Sequence, residues 1–290
     1  MHIDRKTFLK ELSFLTGASL LSKNLSAADL LAAKPAMQLG LVTYLWGKDW
    51  DVPTIIKNCT DTKIHGVELR VEHAHQVMPE LSAAARLEVK KQFADSPVQI
   101  VGLGTNQQYD YPDQAKLKAS IDRTKEFIKL SADIGASGVK VKPNALHKDV
   151  PAEETLEQIG KSLRELAKYA ADMGQQLRLE VHGAETQELP NIKKIMKYAS
   201  HPNAKICWNC NPQDLNGAGF QSNFDLVKQY FGDTLHVREL DRMDYPYKEL
   251  IANLIKMNYK GWVLLECHTN PDDKVKAMHE QRAVFDRMVV

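Results

Sequence analysis

From Met37 onward, short apolar runs alternate with amphipathic helical stretches, and the alternation repeats eight times. The apolar runs read "MQLGLVTYLW", "GVELRVE", "VQIVGLGTN", "GVKVKPN", "QLRLEVHG", "AKICWNCNP", "TLHVREL" and "GWVLLECHTN". Strands separated by helices cannot pair through tight hairpins. Each must cross over to a parallel neighbour, which places the helices on the faces of a parallel sheet. Residues 115–135 and 152–174 show the helical pattern well. In the second, Leu156, Ile159, Leu163, Leu166 and Ala170 recur at three- and four-residue spacing and form one apolar stripe. Both stretches stop at a glycine, which takes the left-handed conformation of a helix end without steric cost. Eight such units either close as a (β/α)8 barrel or lie open as a doubly wound sheet. The open dinucleotide-binding form needs G-x-G-x-x-G after its first strand, and "GLVTYLW" has none. With no linker or low-complexity segment, one barrel over residues 37–290 is the economical expectation.

Composition narrows the function classes. A formal net charge of +1 offers no basic face for nucleic acid. No apolar run approaches the ~18 residues of a membrane span. Four cysteines are too few for a disulfide framework at this length, and "CWNC" closes a strand rather than opening a helix, so buried thiols are expected. The N-terminus has another character. Arg5, Lys6 and Lys10 precede the short apolar stretch "LSFLTGASLL", and Ser26-Ala27-Ala28 supplies small residues for cleavage. That order predicts a signal peptide over residues 1–28 and an exported, periplasmic protein; a cytoplasmic location follows if the signal is not used. "DRKTFLK" resembles a twin-arginine export signal with Lys6 in place of the second arginine.

In a parallel barrel alternate side chains point to the axis, and the C-terminal strand ends share one rim. Polar residues collect there two apart: Glu68 and Arg70, Lys140 and Lys142, Glu180 and His182, Asn209 and Asn211, His236 and Arg238, Glu266 and His268. Facing the outer helices they would be buried without partners. Facing the axis they converge, and can neutralise one another or surround a ligand. Carboxylates that close together repel, so a cation between them is the natural resolution. Carboxylate plus imidazole suits Mn²⁺, Co²⁺, Zn²⁺ or Fe²⁺.

With these strand ends in place, the chain resembles the xylose-isomerase-like TIM barrels of the sugar phosphate isomerase/epimerase superfamily, over essentially all of Met37–Val290. In that family a divalent metal is held by Glu, Asp, His and Glu from strands five to eight, and the two glutamates move protons in enediolate chemistry. The resemblance puts Glu180, Asn209, His236 and Glu266 at those positions, with Asn209 where Asp is usual and Pro212 where an imidazole often follows. The amide removes one negative charge, and His182, one pleat beyond Glu180, is expected to complete the shell. "GVELRVEHAH" also resembles a branch whose exported members accompany oxidoreductases acting on sugars.

The resemblance implies a metal-dependent isomerase or epimerase of a sugar or keto-sugar. The alternatives are a lyase or hydratase of 3-keto-glycosides on the same site, or a barrel that binds sugars without catalysis. Glu180, Glu266 and Lys142 are the expected catalytic groups. Glu68, Arg70, His73, Lys140, Arg238, His268 and Trp46 are the expected substrate contacts. The partner is a small carbohydrate, with a second copy of the chain or a sugar oxidoreductase as the protein partner. No glycine-rich phosphate loop follows strand seven or eight, which argues against a phosphorylated substrate.

Overall fold

Each apolar run forms a strand in the computed structural model, which describes residues 37–290; the leader expected over residues 1–28 lies outside the described residues. The strands are β1 (Gln38–Val42), β2 (Gly66–Arg70), β3 (Gln99–Gln108), β4 (Gly138–Lys142), β5 (Gln176–Glu180), β6 (Ala204–Cys207), β7 (Thr234–Val237) and β8 (Trp262–Leu265). Between and after them run α1 (Val52–Asp61), α2 (Ala83–Ala94), α3 (Gln114–Asp133), α4 (Ala152–Ala171), α5 (Leu189–Ala199), α6 (Phe220–Val227), α7 (Tyr247–Lys256) and α8 (Lys274–Met288). Several helices start on a side-chain cap. Asp51 accepts from the Thr54 N–H, Ser82 from Ala85, and Asp273 from Lys276, each satisfying an amide that has no partner inside its helix.

The strand order is β6-β5-β4-β3-β2-β1-β8-β7, and all neighbours are parallel. Pairing of β1 with β8 sets Gln38 opposite Trp262 and Leu41 opposite Leu265, so the first and last strands share a wall. The β6–β7 seam has no regular ladder. It is joined by the Gly232 N–H to the Ile206 carbonyl at 3.0 Å and the His236 N–H to the Trp208 carbonyl at 2.7 Å. The result is the expected (β/α)8 TIM barrel, nearly closed.

The outward faces of the strands and the apolar stripes of the helices bury one continuous shell, in which Leu163 and Leu166 of α4 are wholly inaccessible. A small separate cluster of Val42, Val101, Trp262 and Leu264 lies against the axis. Gly66 leaves room for it, because a Cβ there would lie 2.3 Å from the Trp262 ring. All four cysteines are buried and unpaired. Among the described residues no helix is long and apolar enough to cross a membrane.

Candidate active site

Register decides which polar side chains reach the axis. Val42 lies opposite Glu68, and Glu68 opposite Gly102, so these positions share the inner face. One extra residue of β3, Val101, stands opposite the Val67–Glu68 step. Glu68 is fully buried, and its Oε1 accepts a hydrogen bond from His236 Nε2 at 3.1 Å. The next strand makes this possible: a Cβ on Gly104 would lie 2.7 Å from that oxygen.

With Nε2 of His236 used by Glu68, its Nδ1 faces the opposite way. That atom is buried and has no hydrogen-bond partner. Glu266 Oε2 lies 3.4 Å from it and Glu180 Oε1 3.9 Å. The other oxygen of Glu180 accepts from Lys140 Nζ at 2.6 Å, and Lys140 also reaches the Thr105 carbonyl at 3.4 Å. Glu180, His236 and Glu266 thus each offer a donor atom within 4.8 Å of the others. An imidazole whose far nitrogen is fixed by a carboxylate presents its near nitrogen as a metal ligand. The orphaned Nδ1 between two carboxylates fits a divalent cation, which Glu180, His236 and Glu266 would hold.

The charges explain why so polar a group survives burial. Burial alone would raise the Glu180 pKa, but the Lys140 ammonium and then His236 overcome it and hold it at about 2. Burial likewise works against ionised Glu68, yet His236, Lys140 and Arg178 keep its pKa below the usual range. For His236, burial opposes the imidazolium while its surroundings raise the pKa well above that of a free imidazole. Burial pushes the neighbouring Cys207 thiol up, so it keeps its proton, and Glu68 and Glu266 are the negative charges that matter. Lys140 is raised despite burial, because Glu180, Glu68 and Glu266 surround it.

Above this group lies a cavity of about 210 Å³, lined by Tyr44, Arg70, Lys142, Glu180, His182, Gln187, Asn209, Asn211, Arg238, Glu266 and His268. A larger hollow of about 1030 Å³ lies among residues of the strands' N-terminal ends, including Phe93, Tyr259 and Trp262, but contains no carboxylate–imidazole group. Chemistry therefore selects the smaller cavity.

A model of the xylose isomerase-like TIM barrel family matches residues 56–287. The chain belongs to the xylose isomerase-like TIM barrel family. Solved structures similar to it include a 3-keto-D-glucoside 4-epimerase from E. coli, with 13% identity, 87% of this chain and 99% of that chain covered, and a TM-score of 0.71. A D-psicose 3-epimerase from Clostridium cellulolyticum, solved with D-tagatose, has 16% identity, the same coverages and a TM-score of 0.72. A probable 3-DHS dehydratase from Bacillus anthracis has 15% identity, 86% and 99% coverage and a TM-score of 0.66. At these identities the likeness is one of fold. No curated protein matches at the sequence level.

Of the residues expected from strand-end spacing in this family member, Glu68, Lys140, Glu180, His236 and Glu266 form the inner group. Arg70, Lys142, His182, Asn209, Arg238 and His268 line the cavity above. Asn209 donates its amide to Asn211 Oδ1 at 3.3 Å, and its own Oδ1 accepts from no described residue. His182 Nδ1 is buried without a partner, and burial lowers its pKa. Its loop is held by Thr186 Oγ1, which donates to the His182 carbonyl at 3.0 Å. Gly183, at φ +96°, follows, where a Cβ would run into the Asn144 carbonyl.

Two expected contacts lie elsewhere. Trp46 is 2% exposed and donates its indole N–H to the Thr269 carbonyl at 3.0 Å, so it ties the β1 loop to the β8 loop. His73 is half-buried in the loop after β2 and is not among the cavity's lining residues. Nearby His75 is a brace, with Nε2 on the Arg70 carbonyl and Nδ1 accepting from the Val77 N–H.

Tyr44 was missed, although period two counted onward from inward-facing Val42 leads to it. It packs against His268 with ring centroids 5.9 Å apart. Arg178, fully buried, was also missed. It lies two residues before Glu180, and donates to the Val101 carbonyl at 2.8 Å and Ser137 Oγ at 2.5 Å. Asp214 had no such signal. It accepts from the Asn211 N–H and the Tyr245 hydroxyl, which in turn accepts from Trp208, and so it fixes the loop after β6.

Proposed function

We propose that the protein is a metal-dependent isomerase or epimerase of a small carbohydrate, acting by proton transfer at the carbon beside a carbonyl. The observation that carries this reading is the unpartnered Nδ1 of His236 between the carboxylates of Glu180 and Glu266. The names of the structural neighbours, two sugar epimerases among them, support the substrate class.

A bound divalent cation would supply polarisation of the substrate's carbonyl and adjacent hydroxyl. The chain's own groups do the rest. Glu68 holds His236 in one orientation from below. Glu266, with a side chain 12% exposed and no lysine partner, stands nearer the cavity and takes the α-proton. Glu180, kept ionised by the Lys140 ammonium at 2.6 Å on another wall, would hold the cation and orient the substrate rather than supply a proton. Proton return on the other face gives epimerisation, and return to the neighbouring carbon gives isomerisation. Tyr44 and His268 offer ring faces to the sugar. The dehydratase among the neighbours supports a second reading, in which loss of the same proton is followed by expulsion of a β-oxygen substituent.

Incubation of the purified protein with ketoses and 3-keto-glycosides in D₂O, with Mn²⁺ or Co²⁺ added, tests this. Deuterium at the α-carbon is the expected result; its absence with every sugar and metal would leave only a sugar-binding barrel. The leader over residues 1–28 is proposed as an export signal, and the mass of the mature N-terminus in the producing cell checks it.

A further inference from the structure

The cavity holds more positive charge than its own carboxylates balance. Glu180 is engaged by Lys140, and Glu68 and Glu266 both face His236. Above them Arg70, Lys142 and Arg238 line the same 210 Å³ space; Lys142 feels Glu180 and Glu266 only at longer range, and none of the three forms an ion pair with a described residue. Arg70 donates to the Gly104 carbonyl at 3.4 Å and to Asn106 Oδ1 at 2.7 Å, both neutral. The side chains of Lys142 and Arg238, both half-buried, make no hydrogen bond or ion pair with any described residue. Removing a cation from water without a partner is unfavourable. Two such groups, with Arg70 beside them holding only neutral acceptors, therefore mark where a ligand's negative charge belongs. A cation bound between Glu180, His236 and Glu266 would deepen the excess.

A neutral sugar would leave these three groups bare in the bound complex, since an enediolate brings its charge only in passing. A guanidinium matches a planar carboxylate with two parallel hydrogen bonds, and an ammonium adds a point charge. A phosphate dianion fits less well. The loops after β7 and β8 present Glu239, Asp241, Asp244, Asp272 and Asp273, with no cradle of glycine amides.

We propose that the substrate is a sugar acid, whose carboxylate is bound by Arg238 and Lys142 with Arg70 at the edge of the same cavity. This rests on the reading of the cavity as a carbohydrate site, and it narrows that class to keto-aldonates and uronates.

Calorimetric titration of the full chain with D-glucuronate, D-glucose and D-glucose 6-phosphate, with and without Mn²⁺, tests it. Charge-assisted hydrogen bonds predict that D-glucuronate binds at least about tenfold more tightly than D-glucose. R238Q and K142Q are each expected to bring that ratio close to one. Equal binding of glucuronate and glucose overturns the proposal, as does tighter binding of the phosphate or a ratio unchanged in both variants. Deuterium exchange into neutral ketoses without any preference for acids would sink this inference alone. A glucuronate preference that the variants abolish, with no exchange into any sugar, would sink the catalytic reading alone.

Discussion

Strands β5 and β8 end in the same tripeptide pattern, Glu-x-His, yet the barrel gives the two copies different surroundings. Glu180 is buried and bound to a buried lysine. Glu266 reaches the cavity, with His236 at 3.4 Å and no lysine. His182 is half-buried with an orphaned Nδ1, whereas His268 is exposed and packs on Tyr44. An identical local pattern therefore yields one glutamate locked into a charge network and one open to the cavity. The neighbouring strands make the difference: β4 brings Lys140 beside β5, while β1 and β7, which flank β8, bring no ammonium.

The sharpest way to break this comparison is to neutralise each glutamate. E266Q is expected to slow α-deuterium exchange by about 10²–10⁴-fold, as loss of a general base does, while changing the urea midpoint little. E180Q is expected to lose exchange and also to destabilise the fold by about 3–5 kcal/mol, because Lys140 stays buried without its counter-charge. Urea unfolding separates the two, and equal stability losses would erase the distinction. Adding K140M to E180Q should restore much of the lost stability, since the pair is then absent as a whole.

A third acid responds to pH in the opposite sense to Glu180. Burial lifts Asp214 to about 7 against the pull of its Tyr245 and Asn211 hydrogen bonds. The folded carboxyl keeps a proton that the unfolded chain releases above about pH 4. Stability from this group is full below that pH and is lost as pH rises through about 7. D214N is expected to flatten that decline, measured as urea midpoints at about pH 5 and pH 8. The smallest effect belongs to the exposed histidine: H268Q should stay within about 0.5 kcal/mol of the parent in stability.

The barrel itself was legible because eight apolar runs alternate with helical stripes, and the rim was legible because strand side chains repeat every two residues. Which rim residues touch each other was not. Glu68 and His236 are 168 positions apart in sequence, and their hydrogen bond depends on the missing side chain of Gly104 and on Val101 shifting the register of β3. No spacing rule carries that information. Trp46 was drawn toward the site by its type, but the turn after β1 breaks the two-residue period and sends it into packing, whereas Tyr44, nearer the strand, keeps the period. Arg178 followed the spacing too. It lies one layer deeper than the rim, where its role is to neutralise rather than to bind.

The β6–β7 seam is held by fewer backbone hydrogen bonds than the barrel's other walls. One of its two backbone links is the amide of His236, and it ends on Trp208, next to Asn209. Any cation gripped by His236 from within therefore also clamps the seam from the side. With the seam braced in this way, the amide protons of His236 and Gly232 should exchange with solvent more slowly once Mn²⁺ is added.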